Sequence, residues 1–126
     1  MKNNQITEET IKQLVDNFYG KVAQDENLGP IFKAAIGDGA EAWKPHLNTM
    51  YDFWSSMFLG SGRYNGRPMP KHMALPPFDL DLFERWLALF SETAHEIHTD
   101  DIAAMYVERS TRIAENLKRG VSSVWG

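Results

Sequence analysis

Residues 43–58 read WKPHLNTMYDFWSSMF. Trp43, His46, Leu47, Met50, Tyr51, Phe53, Trp54, Met57 and Phe58 recur every three or four positions, which is the spacing of one buried face on a helix. The run stops before Gly60, and Pro45 fits such a helix only near its first turn. An aromatic-rich helix of this kind needs partners that are apolar on one side, and the flanking sequence supplies them.

Upstream, Ile11, Leu14, Val15, Phe18, Tyr19 and Val22 mark an amphipathic helix over residues 7–24, with Thr7 as its cap and two glutamates in the first turn. Gly29 and Pro30 break the pattern, and residues 30–36 suffice for one or two turns at a compact corner. Downstream, Leu82, Phe83, Trp86, Leu87, Phe90, Ala94 and Ile97 form a further stripe with Asp79 as the expected cap. A last helix is capped by Thr99, carries Asp100 and Asp101 in its first turn, and is expected to close at Lys118, Arg119 and Gly120. No segment alternates as a strand does, so the expected fold is all-α, a single domain over residues 1–126.

Composition narrows the chemistry. A chain that is 43% hydrophobic and 24% charged is built to fold. The absence of cysteine removes disulfides, thiolate metal sites and thioether-linked cofactors. A net charge of −4 argues against nucleic acid as a partner. No run is apolar over the roughly 20 residues that cross a bilayer, and the first ten residues lack the apolar core of an export signal. The expectation is a cytoplasmic protein with no membrane partner.

Residues 60–78, GSGRYNGRPMPKHMALPPF, are punctuated by glycine and proline and read as a functional loop. His72 stands in it between two apolar helices, either as a metal or cofactor ligand or as a plain surface histidine. A haem would need a neutral imidazole on one side and a wide apolar slot, and the aromatic helices offer the slot. Tyr19, His46 and Trp86 each place a polar hydrogen on an otherwise apolar helix face, so they are candidates for the opposite side. His95 and His98 have a spacing that one divalent metal could use, against the plainer reading of a solvated helix end. Phosphate loops, nucleophile elbows and zinc-hydrolase pairs have no match.

Several segments occur together and in order: FYGKV around Tyr19, LGPIF at residues 28–32, WKPHLNTMYDFW from Trp43, YNGRPMPKHMALPPF from Tyr64 and FERWLALF around Trp86. Over residues 7–118 the chain resembles a group III truncated haemoglobin. The resemblance implies a shortened globin fold, two helices on two around haem b held without covalent attachment. It makes His72 the proximal iron ligand and places Tyr19, Trp86 and His46 on the distal side. Phe18, Phe32, Met50, Phe53 and Trp54 would line or support the slot, and Arg63, Tyr64, Arg67 and Lys71 are candidates for the propionates.

The same resemblance implies reversible binding of dioxygen, nitric oxide, carbon monoxide or cyanide. It leaves room for nitric oxide dioxygenase or peroxidase-like chemistry, for which the chain has no flavin or nicotinamide domain and a separate reductase would be needed. The competing expectations are a helical interaction module without haem, and a ligand sensor acting through a partner.

Overall fold

In a computed structural model, residues 2–37, 39–64 and 79–125 are described, the side chains of the last three excepted. Five helices account for most of them: α1 (Glu8–Gln24), α2 (Leu28–Ile36), α3 (Ala40–Leu59), α4 (Leu82–Ile97) and α5 (Asp100–Trp125). Extended pairing among the described residues is limited to a bridge between Asn3 and His98, where the Asn3 amide donates to the Ile97 carbonyl and the Thr99 amide to the Asn3 carbonyl. The all-α expectation holds.

Local chemistry sets most of the boundaries. Thr7 caps α1 in a reciprocal box, its hydroxyl accepting from the Thr10 amide at 3.1 Å while the Thr7 amide donates to the Thr10 hydroxyl at 2.8 Å. Asp25 ends α1 and starts α2: its carboxylate accepts from the Leu28 and Asn27 amides and pairs with Arg85 of α4. The Leu28 amide is the main reason that carboxyl titrates below its ordinary range. Gly60 closes α3 in the left-handed conformation, at φ 67°, which glycine adopts without a steric penalty.

Three boundaries differ from the sequence expectations. Helix α3 begins at Ala40, so Pro45 lies beyond the first turn; the backbone bond it forfeits falls on the solvent side, where its neighbours Glu41 and Lys44 are exposed. Asp79 does not cap α4. It accepts from the Asp81 amide and forms a turn ahead of the helix, whose N-cap position is Asp81. Helix α5 passes through Gly120 instead of closing there, because Val121 is fully buried with Phe83, Ala114 and Leu117 in a second small core. Burial of that next turn outweighs the roughly 1 kcal/mol that a mid-helix glycine costs.

The main core gathers Ile11, Leu14, Phe18 and Val22 of α1 with Trp54 of α3, Phe90 and Ala94 of α4, and Tyr106 of α5. Helix α1 packs directly on α2, α3 and α4, and α4 packs on α5, giving the α1–α3 pair over the α4–α5 pair. Among the described residues α3 makes no close backbone approach to α4 or α5. The space between them is bridged by rings: Trp54 stacks on Phe90 at 5.3 Å, and Phe58 meets Tyr106 at 4.8 Å.

Candidate functional site

Tyr19 is the centre of an aromatic cluster built from four helices. Its ring meets Phe18 at 4.8 Å, Phe32 of α2 at 6.0 Å, and Trp43 and His46 of α3 at 6.3 and 4.7 Å. The Trp86 indole of α4 lies near the Tyr19 hydroxyl, close enough to favour its ionised form slightly. Burial pushes the Tyr19 hydroxyl far above its ordinary titration range, and the nearby Trp86 indole offsets only part of that, so the hydroxyl keeps its proton. A protonated phenol in this position can act as a hydrogen-bond donor.

Phe18 holds this arrangement from inside the core. It is 1% exposed and makes edge contacts with Trp86 at 5.2 Å and with Phe90 at 5.0 Å. Phe90 in turn stacks on Trp86 at 5.4 Å with the rings parallel to within 1°. The plane of the indole is thereby fixed by Phe18 and Phe90. Continuity of α3 through Pro45 sets the direction of His46, whose ring is perpendicular to that of Tyr19.

One helical face of α3 carries His46, Met50, Phe53 and Met57. The first three are partly buried and Met57 is 37% exposed; Phe32 and Trp86 are also partly buried. Large apolar side chains left partly exposed along one helix, which has no close backbone approach to α4 or α5 among the described residues, present an apolar surface able to take a flat apolar group. This observation fits a porphyrin, which presents a wide apolar plane. Trp54 is buried behind the face, between Phe58 and Phe90.

The loop entering residues 60–78 is anchored on α3. The Tyr64 amide donates to the Ser56 hydroxyl at 2.9 Å and its ring meets Phe53 at 5.1 Å. Arg63 directs its guanidinium at carboxylates: one nitrogen donates to both Glu8 oxygens at 2.7 and 2.9 Å, and another to Asp52 at 3.0 Å. It also reaches the buried Ser55 hydroxyl at 2.9 Å. Arg67, Lys71 and His72 lie outside the described residues.

His95 and His98 do not converge. The His95 ring reaches Asp100 at 3.2 Å, whereas His98 is fully buried against Tyr106, which corrects the expectation of a solvated end. No cluster of metal-ligating side chains occurs among the described residues, and no helix is long and apolar enough to cross a membrane. The sequence reading omitted Trp43, Phe90 and Met57 from the site. Trp43 and Met57 lie on α3 at helical spacing from residues that it chose, and Phe90 lies one turn beyond Trp86, so periodicity was the available signal.

A two-on-two helical fold with a buried tyrosine and a partly buried tryptophan beside an apolar face of α3 defines a small globin. Residues 5–119 match the bacterial-like globin family, and the chain belongs to that family as a group III truncated haemoglobin. It is 42% identical over 118 residues to the group 3 truncated haemoglobin ctb of Campylobacter jejuni, covering 94% of this chain and 93% of that one. The crystal structure of the group III truncated haemoglobin from Campylobacter jejuni superposes with a TM-score of 0.93 at 40% identity, over 96% of this chain and 95% of that one. Membership carries haem as the cofactor and diatomic gases as ligands at its iron.

Proposed function

We propose that this chain is a one-domain haem b protein that binds dioxygen reversibly, with His72 as the proximal ligand and Tyr19 as the principal hydrogen-bond donor on the distal side. The carrying observation is the buried Tyr19 hydroxyl, which keeps its proton in an aromatic cluster beside the Trp86 indole and the partly exposed apolar face of α3. Without cysteine the haem is held by ligation and packing alone. Phe32, Met50 and Phe53 would contact the porphyrin, with Phe18 and Trp54 supporting them. Tyr64, Arg67 and Lys71 would meet the propionates, joined by Arg63 once it leaves its carboxylate partners.

Haem iron supplies a site that takes diatomic molecules and exchanges electrons. This chain determines which of them stays. A phenol donor in a dry pocket favours ligands that gather negative charge, such as dioxygen, over carbon monoxide. Trp86 strengthens the donor and fixes its direction, and His46 closes the cluster from the α3 side. Slow dioxygen release fits redox handling of nitric oxide or peroxide better than delivery. Electrons would come from a separate reductase, in keeping with a cytoplasmic setting.

Stopped-flow dioxygen release from the reduced, haem-loaded protein tests the reading. Tyr19→Phe should accelerate release by roughly a hundredfold, the equivalent of about 2.7 kcal/mol for a charge-assisted bond. Trp86→Phe should accelerate it less, and the double variant should match Tyr19→Phe alone, because the two side chains act in series. Multiplicative effects would mean independent donors, and unchanged release would remove both from the site. His72→Ala should abolish the ordinary five-coordinate ferrous spectrum. An unaltered spectrum would refute proximal ligation by His72.

A further inference from the structure

A cleft of about 330 Å3 opens between α1, the end of α2 and the start of α3. Its wall includes Tyr19, Gly20, Ala23, Ala40, Trp43 and Leu47, with polar contributions from Asp16 and Lys33. Tyr19 is otherwise buried, at 6% exposure, so this cleft brings solvent-side space up to the residue at the centre of the distal cluster. Four of its nine lining residues, Gly20, Ala23, Gly39 and Ala40, are small. Gly20 is exposed, and a Cβ built on it would meet nothing within 4 Å.

Trp43 belongs to both places. It lines the cleft, and its ring lies 6.3 Å from that of Tyr19 and 6.0 Å from that of His46. A hydrogen bond from its indole nitrogen to the Gly37 carbonyl, 2.9 Å long, pins it across the gap between α2 and α3. A small apolar gas gains by leaving water for a space with apolar walls, whereas an ion does not.

We propose that this cleft is the access route by which a small uncharged diatomic ligand reaches Tyr19, with Trp43 as its gate. The inference rests on Tyr19 and Trp86 being the ligand-holding pair. A route lies on the path and touches neither end state. Narrowing it must therefore slow arrival and departure by the same factor and leave affinity unchanged, whereas a change in the donors alters mainly departure.

The test uses haem-loaded protein with carbon monoxide, following rebinding from solution after photolysis and release by ligand replacement. Gly20→Leu adds a branched side chain at a residue that lines the cleft, where the first added carbon meets nothing within 4 Å. It should slow both rates by roughly tenfold, about 1.4 kcal/mol in barrier, at constant affinity. Gly20→Ala should leave both within about twofold, since a single methyl group does not close the space. Trp43→Phe, which removes the bond to Gly37, should speed both.

An independent readout needs no iron chemistry: xenon dissolved under pressure should shift the methyl resonances of Ala23 and Leu47, and Gly20→Leu should abolish the shift. Unchanged carbon monoxide rates in Gly20→Leu, an altered affinity, or the absence of any xenon shift would each overturn the route. If Gly20→Leu slows carbon monoxide while Tyr19→Phe leaves dioxygen release unchanged, the donor reading fails and the route stands. The reverse pattern sinks the route alone.

Discussion

At Gly29, the second residue both of LGPIF and of α2, a hydrogen stands where any other residue would place a carbon 2.9 Å from the Ala23 carbonyl oxygen. The obstacle is helix backbone and cannot rotate away. Close packing of α2 on α1 therefore depends on glycine here, and this packing sets how Phe32 reaches Tyr19. Gly29→Ala should destabilise the fold by about 1–3 kcal/mol in denaturant titration, the usual range for overpacking a well-filled contact. A neutral result would show that α2 shifts freely against α1. Gly20, on α1, behaves in the opposite way: open space beyond it makes it a probe of the cleft and not of packing. Sequence marks both only as glycines, and it takes the position of the neighbouring helix to separate them.

Elements were legible wherever an apolar stripe ran the length of a helix. The stripes of α1, α3 and α4 run as the periodicity of residues 11–22, 43–58 and 82–97 requires. What local rules misjudged was termination. Gly120 reads as a stop, yet one residue later Val121 is needed to fill the space beside Phe83 and Leu117, and that need comes from α4, a distant part of the chain. Val121→Ala should lower stability by about 2 kcal/mol, the loss expected for emptying a fully buried aliphatic site. The companion observation is amide exchange. If residues 120–122 are helical because Val121 is buried, their protection should fall in the variant more than that of α1. Equal losses everywhere would assign the helix extension to intrinsic propensity instead. The site divides in the same way. Tyr19 and Trp86 announce themselves as polar atoms on apolar stripes, but their meeting across α1 and α4 came from family resemblance, as no spacing rule connects them. The Arg63 contacts with Glu8 and Asp52 were illegible for the same reason.

For the molecule as a whole, stability against pH is set by which ionisable groups the fold treats differently from the unfolded chain. His98 is the clearest such group near neutrality. It sits fully buried at the α4–α5 junction, where Asn3 bridges the chain and Tyr106 packs on the imidazole at 5.1 Å. Among the described residues, neither ring nitrogen has a hydrogen-bond partner, and nor does the Tyr106 hydroxyl. Desolvation lowers the pKa of His98 from the ordinary 6.5, and the nearby Ala94 carbonyl opposes this only weakly. The sign follows directly. Below pH 6.5 the unfolded chain takes up a proton at this position that the folded chain refuses, so stability is full above that pH and declines as pH falls through the lowered folded value. Asp25 and Asp101 are held below their ordinary 3.8 and lose their contribution only at more acid pH, outside this window. His98→Leu keeps the volume apolar and removes the titration. In urea unfolding between about pH 5 and 7, wild type should lose up to about 1.4 kcal/mol per pH unit more than the variant, the limit for one proton. Other histidines are common to both proteins, so the difference isolates His98. Parallel curves would mean that His98 opens to water before the molecule unfolds, and the junction tied down by Asn3 would then be the first part of the fold to release.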